Sequence, residues 1–118
     1  MRTKHYTWHK VSEAEAALAW NENAMAVVHV ENKEIGIARH EGLLYGFALK
    51  CPHAGGPLNE GYIDPLGNVV CPLHRYKFNI KNGRNSSGEG YHLKTYPVES
   101  RTDGIFVGIE DKSLFGWF

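Results

Sequence analysis

Three observations predict an all-β fold. Thirteen glycines and five prolines among 118 residues supply more turn formers than long helices tolerate. The apolar residues come in short runs separated by turn signals. Only one stretch, Ser12–Trp20, has a helical composition. About eight or nine short strands follow from this pattern, the arrangement of a small sandwich or barrel. A chain of 13.3 kDa is one domain's worth, so residues 1–118 are expected to form a single unit.

The elements follow in order. SEAEAALAW is expected as a two-turn helix, with Ser12 as N-cap, Glu15 three residues on, and Asn21 and Asn23 at its end. Ala26–Glu31, Glu34–Arg39 and Leu43–Lys50 are expected to form a meander, turning at Asn32-Lys33 and at His40-Glu41-Gly42. Cys51–Gly61 is too dense in Gly and Pro for a regular element. Asn68–Cys71 and Tyr76–Ile80 read as short strands around a second irregular turn. Asn82-Gly83 is the strongest hairpin signal in the chain, and Asn85–Gly90 reads as a loop. His92–Ser100 and Ile105–Glu110 are expected to pair across Thr102-Asp103-Gly104. Trp8 and Trp20 are expected as core or half-buried anchors. The aromatic tail Leu114–Phe118 is expected to pack back on a sheet, the alternative being an oligomer or partner contact.

Charge and hydropathy exclude several functions. Thirteen Lys+Arg balance thirteen Asp+Glu, against a nucleic-acid binder and against a polybasic membrane contact. No apolar run is long enough to cross a bilayer, and MRTKHYTWHK lacks the apolar region of a signal peptide. The expected compartment is the cytoplasm, where Cys51 and Cys71 would stay reduced.

The chemistry lies in Cys51-Pro52-His53 and, seventeen residues on, Cys71-Pro72-Leu73-His74. Each turn-rich loop offers one soft thiolate and one imidazole. Proline after each cysteine stiffens the loop, and Gly55-Gly56 lets backbone approach closely. Two Cys and two His satisfy a tetrahedral zinc site by count. They also satisfy a two-iron cluster carrying Cys₂ on one iron and His₂ on the other. Zinc fingers pair Cys with Cys and His with His, whereas here each loop mixes the two. Such mixing suits two similar loops that approach one cluster from opposite sides.

CPHAGGPLNEG and CPLHRYKFN resemble the two boxes of the Rieske family, over about Lys50–Phe78, and Tyr96-Pro97-Val98 resembles the end of such domains. The resemblance implies three small antiparallel sheets, with a cluster-binding part at about 48–80 whose two loops form a tip. It implies one Rieske-type [2Fe–2S] cluster, with Cys51 and Cys71 on a buried iron and His53 and His74 on an exposed one. Backbone N–H groups around Ala54, Gly55 and Tyr76 are expected as donors to the cluster sulfurs, and Leu58 is expected to pack over the cluster and limit water.

Departures from the pattern carry information. The high-potential members have an extra cysteine in each box, and this chain has none to spare. Where those members place a Ser and a Tyr whose hydroxyls raise the potential, this chain has Tyr76 and Phe78. A potential near −150 mV rather than +300 mV is therefore expected. The chain is too short for an oxygenase catalytic subunit. The resemblance implies a soluble ferredoxin that passes one electron from a reductase to an oxygenase and transforms no substrate itself. The small subunit of an NADH-dependent nitrite reductase is the alternative from the same family, and a zinc-stabilised structural domain the alternative from outside it. His5, His9, His29, His40 and His92 lack ligand spacing and are expected to be structural or solvated. Arg75 and Lys77 are read first as solvated charges, and second as groups that steer an acidic partner.

Overall fold

The computed structural model describes residues 5–111. Ten strands form three antiparallel sheets among them. The first sheet has the order β1-β10-β9, with β1 at Tyr6–Ser12, β10 at Gly104–Glu110 and β9 at Val98–Arg101. The second has β2 (Met25–Val30), β3 (Lys33–His40), β4 (Leu43–Ala48) and β8 (Thr95–Tyr96). The third is β5 (Tyr62–Ile63), β6 (Asn68–Val70) and β7 (Lys77–Asn79).

The middle sheet is covered on both faces. Side chains alternate across a strand, so neighbours on β2 and β3 serve different cores. Ala26, Val28, Val30, Ile35 and Ile37 pack with Ile105 and Val107 of the first sheet. Met25, Ala38 and Phe47 pack the other way, with Leu58, Val69, Phe78, Ile80, Leu93 and both cysteines. Gly36 has no side chain because the Phe47 ring crosses it: a Cβ there would sit 2.6 Å from Phe47 Cε2. The two cysteines thus belong to one of the two hydrophobic cores, and that core joins the middle sheet to the third.

The meander appears as expected, with boundaries shifted by one or two residues. The helix over Ser12–Trp20 does not form. Ser12 ends β1, paired with Ile105 across a bulge, and only Glu15–Ala17 make a single 3₁₀ turn. Nine residues with one buried apolar side chain, Leu18, cannot offset the cost of helix nucleation. The capping-box residues bond elsewhere. The Ser12 hydroxyl donates to the Ala14 carbonyl, and the Glu15 carboxylate accepts from Arg39 Nε at 2.6 Å. The Arg39 guanidinium also lies 4.3 Å from the centre of the Trp20 ring, whose Nε1 donates to the Glu15 carbonyl. Half-buried Trp20 therefore anchors the segment to β3, and half-buried Trp8 anchors β1 against Arg101.

Other differences have simple causes. The strand expected over His92–Ser100 splits at Pro97, which has no N–H to donate, so β8 joins the middle sheet and β9 the first. β1 and β5 carry no alternation strong enough to read, and β5 is only two residues long. Asn82-Gly83 does reverse the chain, with Gly83 at φ 78°, but only isolated bridges follow it rather than a ladder. The aromatic tail at 114–118 lies outside the described residues. No helix among the described residues is long and apolar enough to cross a membrane.

A buried carboxylate shapes the turn between β5 and β6. Asp64 Oδ1 accepts from the N–H groups of Leu66 and Asn68, Oδ2 accepts from Asn68 Nδ2, and Lys77 Nζ lies 3.7 Å away. Burial pushes its pKa up, but these donors and the lysine outweigh burial and hold it below the ordinary 3.8. A carboxyl whose folded pKa is lowered stabilises fully above its unfolded value and loses that contribution as pH falls through the folded one. Urea melts of Asp64→Asn should therefore show lower stability than wild type at neutral pH, with the difference narrowing below about pH 4. A constant difference down to about pH 3 would remove this role.

Candidate metal centre

The two Cys/His loops are built alike. The Cys51 N–H donates to the Gly56 carbonyl at 2.8 Å, and the Cys71 N–H to the Tyr76 carbonyl at 2.9 Å. Each loop is thus closed by a bond from its cysteine to the residue five positions on. The first loop is also held by a bridge between Lys50 and Pro57, and the second by the ladder of β6 and β7. In the second loop His74 and Arg75 both take φ 59°, which costs an ordinary L-residue about 1–2 kcal/mol. Loop closure imposes that backbone and turns the His74 side chain into the open.

The four donors fall into two like pairs. The Cys51 and Cys71 thiols are both buried in the same core. The His53 and His74 rings lie 5.1 Å apart, edge to face, with His53 half-buried and His74 exposed. Burial pushes the Cys71 thiol above its ordinary pKa and the neighbouring Cys51 adds to that, while the Leu73 N–H bonds to the sulfur and works the other way. A buried thiol such as that of Cys71 becomes a thiolate more readily beside a cation, and a bound metal supplies one. His53 Nδ1 is buried without a hydrogen-bond partner. Buried polar nitrogens are normally paired, so an unpaired one at this spot fits a metal ligand. Among the described residues, no three His, Cys, Asp or Glu side chains converge as they would on one ion. Two buried thiols and two more exposed imidazoles suit a two-iron cluster with Cys₂ on one iron and His₂ on the other.

The remaining expected site residues are distributed around these pairs. Leu58 is fully buried in the same core as both cysteines. Gly56 is closed in by Leu73 Cδ1, which would lie 2.8 Å from a Cβ. Ala54 and Gly55 are not buried in that core, and Gly55 is exposed. The Gly55 N–H is bonded to the Cys51 carbonyl at 2.8 Å, so it closes its own loop rather than facing a sulfur. The backbone group that acts to lower the Cys71 pKa is the Leu73 N–H, a residue the sequence did not single out. Tyr76 stacks on His53 with ring centres 4.1 Å apart. Desolvation pushes its phenol up, and the nearby Glu89 carboxylate and Tyr91 add to the effect.

Tyr91 was also unread in the sequence. Its ring centre lies 5.3 Å from that of His53 and 5.9 Å from that of Tyr76. A lone tyrosine after a Ser/Gly loop has no motif to mark it. Three of the histidines outside the tip, His9, His29 and His40, sit 3.5–3.8 Å from Glu31, Glu34 and Glu41.

Small antiparallel sheets that carry two buried thiols and two more exposed imidazoles define a class, the small iron–sulfur electron carriers. Residues 7–97 match the model of the Rieske [2Fe-2S] domain. The chain belongs to that family, its cofactor is a Rieske-type [2Fe–2S] cluster, and its function is electron transport.

Relatives agree with this placement. The ferredoxin component of the naphthalene 1,2-dioxygenase system of Pseudomonas putida is 32% identical over 83 residues, covering 70% of this chain and 79% of the relative. The ferredoxin component of the alkene monooxygenase system of Xanthobacter autotrophicus is 26% identical over 86 residues, covering 73% and 70%. A human Rieske domain-containing protein is 34% identical over 82 residues, and the match spans 48% of its length. Among solved structures, the ferredoxin of carbazole 1,9a-dioxygenase from Nocardioides aromaticivorans superimposes with a TM-score of 0.73 at 20% identity, covering 86% of this chain and 96% of that one. That likeness establishes the shared fold.

Proposed function

We propose that this chain is a ferredoxin of an oxygenase system, working in the cytoplasm, that takes one electron from a reductase and hands it to an oxygenase. The names of its relatives support the partner class, since several are ferredoxin components of dioxygenase and monooxygenase systems. The observation that carries the reading is the sorting of donors at one tip, with thiols inside, imidazoles outside and His53 Nδ1 unpaired. In this reading Cys51 and Cys71 hold the inner iron, and His53 and His74 the outer one. The cluster supplies a one-electron couple when bound. The protein's part is to bury the thiolates, to fix the imidazole rings by loop closure and by the Tyr76 stack, and to present His74 at the surface. Exposed Leu73 and His74 would then face a docked partner. Phe78 is fully buried and has no hydroxyl to offer a sulfur, which supports a potential toward the low end of the Rieske range.

Low-temperature EPR of the dithionite-reduced protein tests the donor assignment. Mixed His/Cys ligation gives a rhombic signal whose average g lies below that of an all-cysteine [2Fe–2S] ferredoxin. A colourless, EPR-silent protein holding stoichiometric zinc would overturn it. The partner assignment is tested by reduction of the loaded protein with a flavin reductase, followed by its reoxidation by an oxygenase.

A further inference from the structure

The loop Asn85–Tyr91 belongs to neither Cys/His box, yet it is fastened to the tip. The Lys77 N–H donates to Ser87 Oγ at 2.9 Å, and the Lys77 carbonyl accepts from the Ser86 N–H and from Asn85 Nδ2. Ser86 Oγ donates to Asn68 Oδ1 at 2.9 Å, which ties the loop to β6 as well. The Gly90 N–H donates to Asn85 Oδ1 at 2.7 Å and closes the loop on itself. These bonds deliver two side chains to the imidazoles. Tyr91 meets His53 and Tyr76 ring to ring. Glu89 Oε1 accepts from Ser87 Oγ and from Asn85 Nδ2, two residues before the Tyr91 ring that meets His53.

From this arrangement we propose that the Glu89 carboxylate, tethered within Asn85–Tyr91, is a fixed negative charge that disfavours electron uptake at the His53 side. The inference rests on His53 being a ligand. The Ser87 and Asn85 donors hold the Glu89 pKa below its ordinary value, so the carboxylate stays charged through the physiological range. Arg75 and Lys77 on the second loop carry the opposite sign, and Lys77 is engaged with Asp64. An added electron makes the tip more negative, and a fixed anion nearby opposes it. The tether fixes where this exposed carboxylate sits, and salt still screens it.

Glu89→Gln keeps an acceptor for Ser87 and Asn85 and removes the charge. In the cluster-loaded chain, a redox titration should show the equilibrium shifted about two- to fivefold toward the reduced form, tenfold being about 59 mV for one electron. The shift should shrink in about 1 M salt, where screening acts over about 3 Å. A merely structural role for Glu89 would not give that salt dependence. Glu89→Asp, which keeps the charge, should return most of the way to wild type. If the glutamine variant loads poorly, Glu89→Ala replaces it with the same expected direction. Equal midpoints in loaded wild type and variant, with unchanged EPR spectra, overturn the proposal alone. A wild-type chain that shows no His/Cys-ligated cluster overturns the ligand reading and this proposal with it.

Discussion

Cys71→Ser is expected to purify colourless, with iron content near zero and no EPR signal after reduction. The serine hydroxyl stays protonated at neutral pH and is a poor ligand for a soft site. The position is fully buried among Leu58, Val69 and Phe78, so no water or neighbouring side chain can take the missing place. The effect on the chain without metal should be small. Serine is close in size to cysteine, and the Leu73 N–H that bonds the sulfur can bond the hydroxyl. Thermal melts should therefore separate the two contributions. Metal-free wild type and variant should differ by about 1 kcal/mol, whereas only wild type gains the stabilisation that comes with metal binding. A full iron complement in the variant would show that Cys71 holds no iron. A large loss of stability in the metal-free variant would mean that Cys71 matters first as core.

Much of the fold and of the site could be read because the signals are local. Alternating apolar residues and turn pairs mark β2–β4, and each Cys/His box carries its own spacing. What escaped reading depends on residues far apart in the chain. β1 is a strand because β10 offers it a partner about a hundred residues later, and that pairing takes Ser12 away from the helix its neighbours favour. Pro97 splits one apparent strand between two sheets because the sheets, and not the segment, decide where the ladder continues. Tyr91 and Glu89 reach the tip only because Lys77, Asn68 and Asn85 fasten their loop there. The Gly55 N–H, which looks free in sequence, is bonded because the first loop closes as a six-residue turn. Motif spacing names the donors, and long-range hydrogen bonds decide what surrounds them.

The glycine that ends the first box shows how both loops depend on one close approach. Gly61→Ala is expected to lower the melting temperature by roughly 10–20 °C, a loss of about 3 kcal/mol. A Cβ at residue 61 would sit 1.8 Å from the Val70 carbonyl oxygen, far inside contact distance. Neither backbone can move aside cheaply. The Gly61 N–H donates to the Leu58 carbonyl, and its own carbonyl accepts from Asn23 Nδ2 at 2.7 Å. Val70 is paired with Tyr62 on one side and Lys77 on the other, one residue before Cys71. An alanine would push the strand that carries Cys71 away from the segment that carries Cys51, so cluster content should fall along with stability. Gly88→Ala provides the comparison. Gly88 has φ 89°, but nothing lies within 4 Å of the place a methyl group would take, so its substitution should cost only the backbone strain, about 1 kcal/mol. Steric exclusion predicts the larger loss at Gly61, although its φ of -88° is negative and that of Gly88 is positive. If Gly61→Ala melts with wild type while Gly88→Ala does not, the two boxes are not held together by this contact.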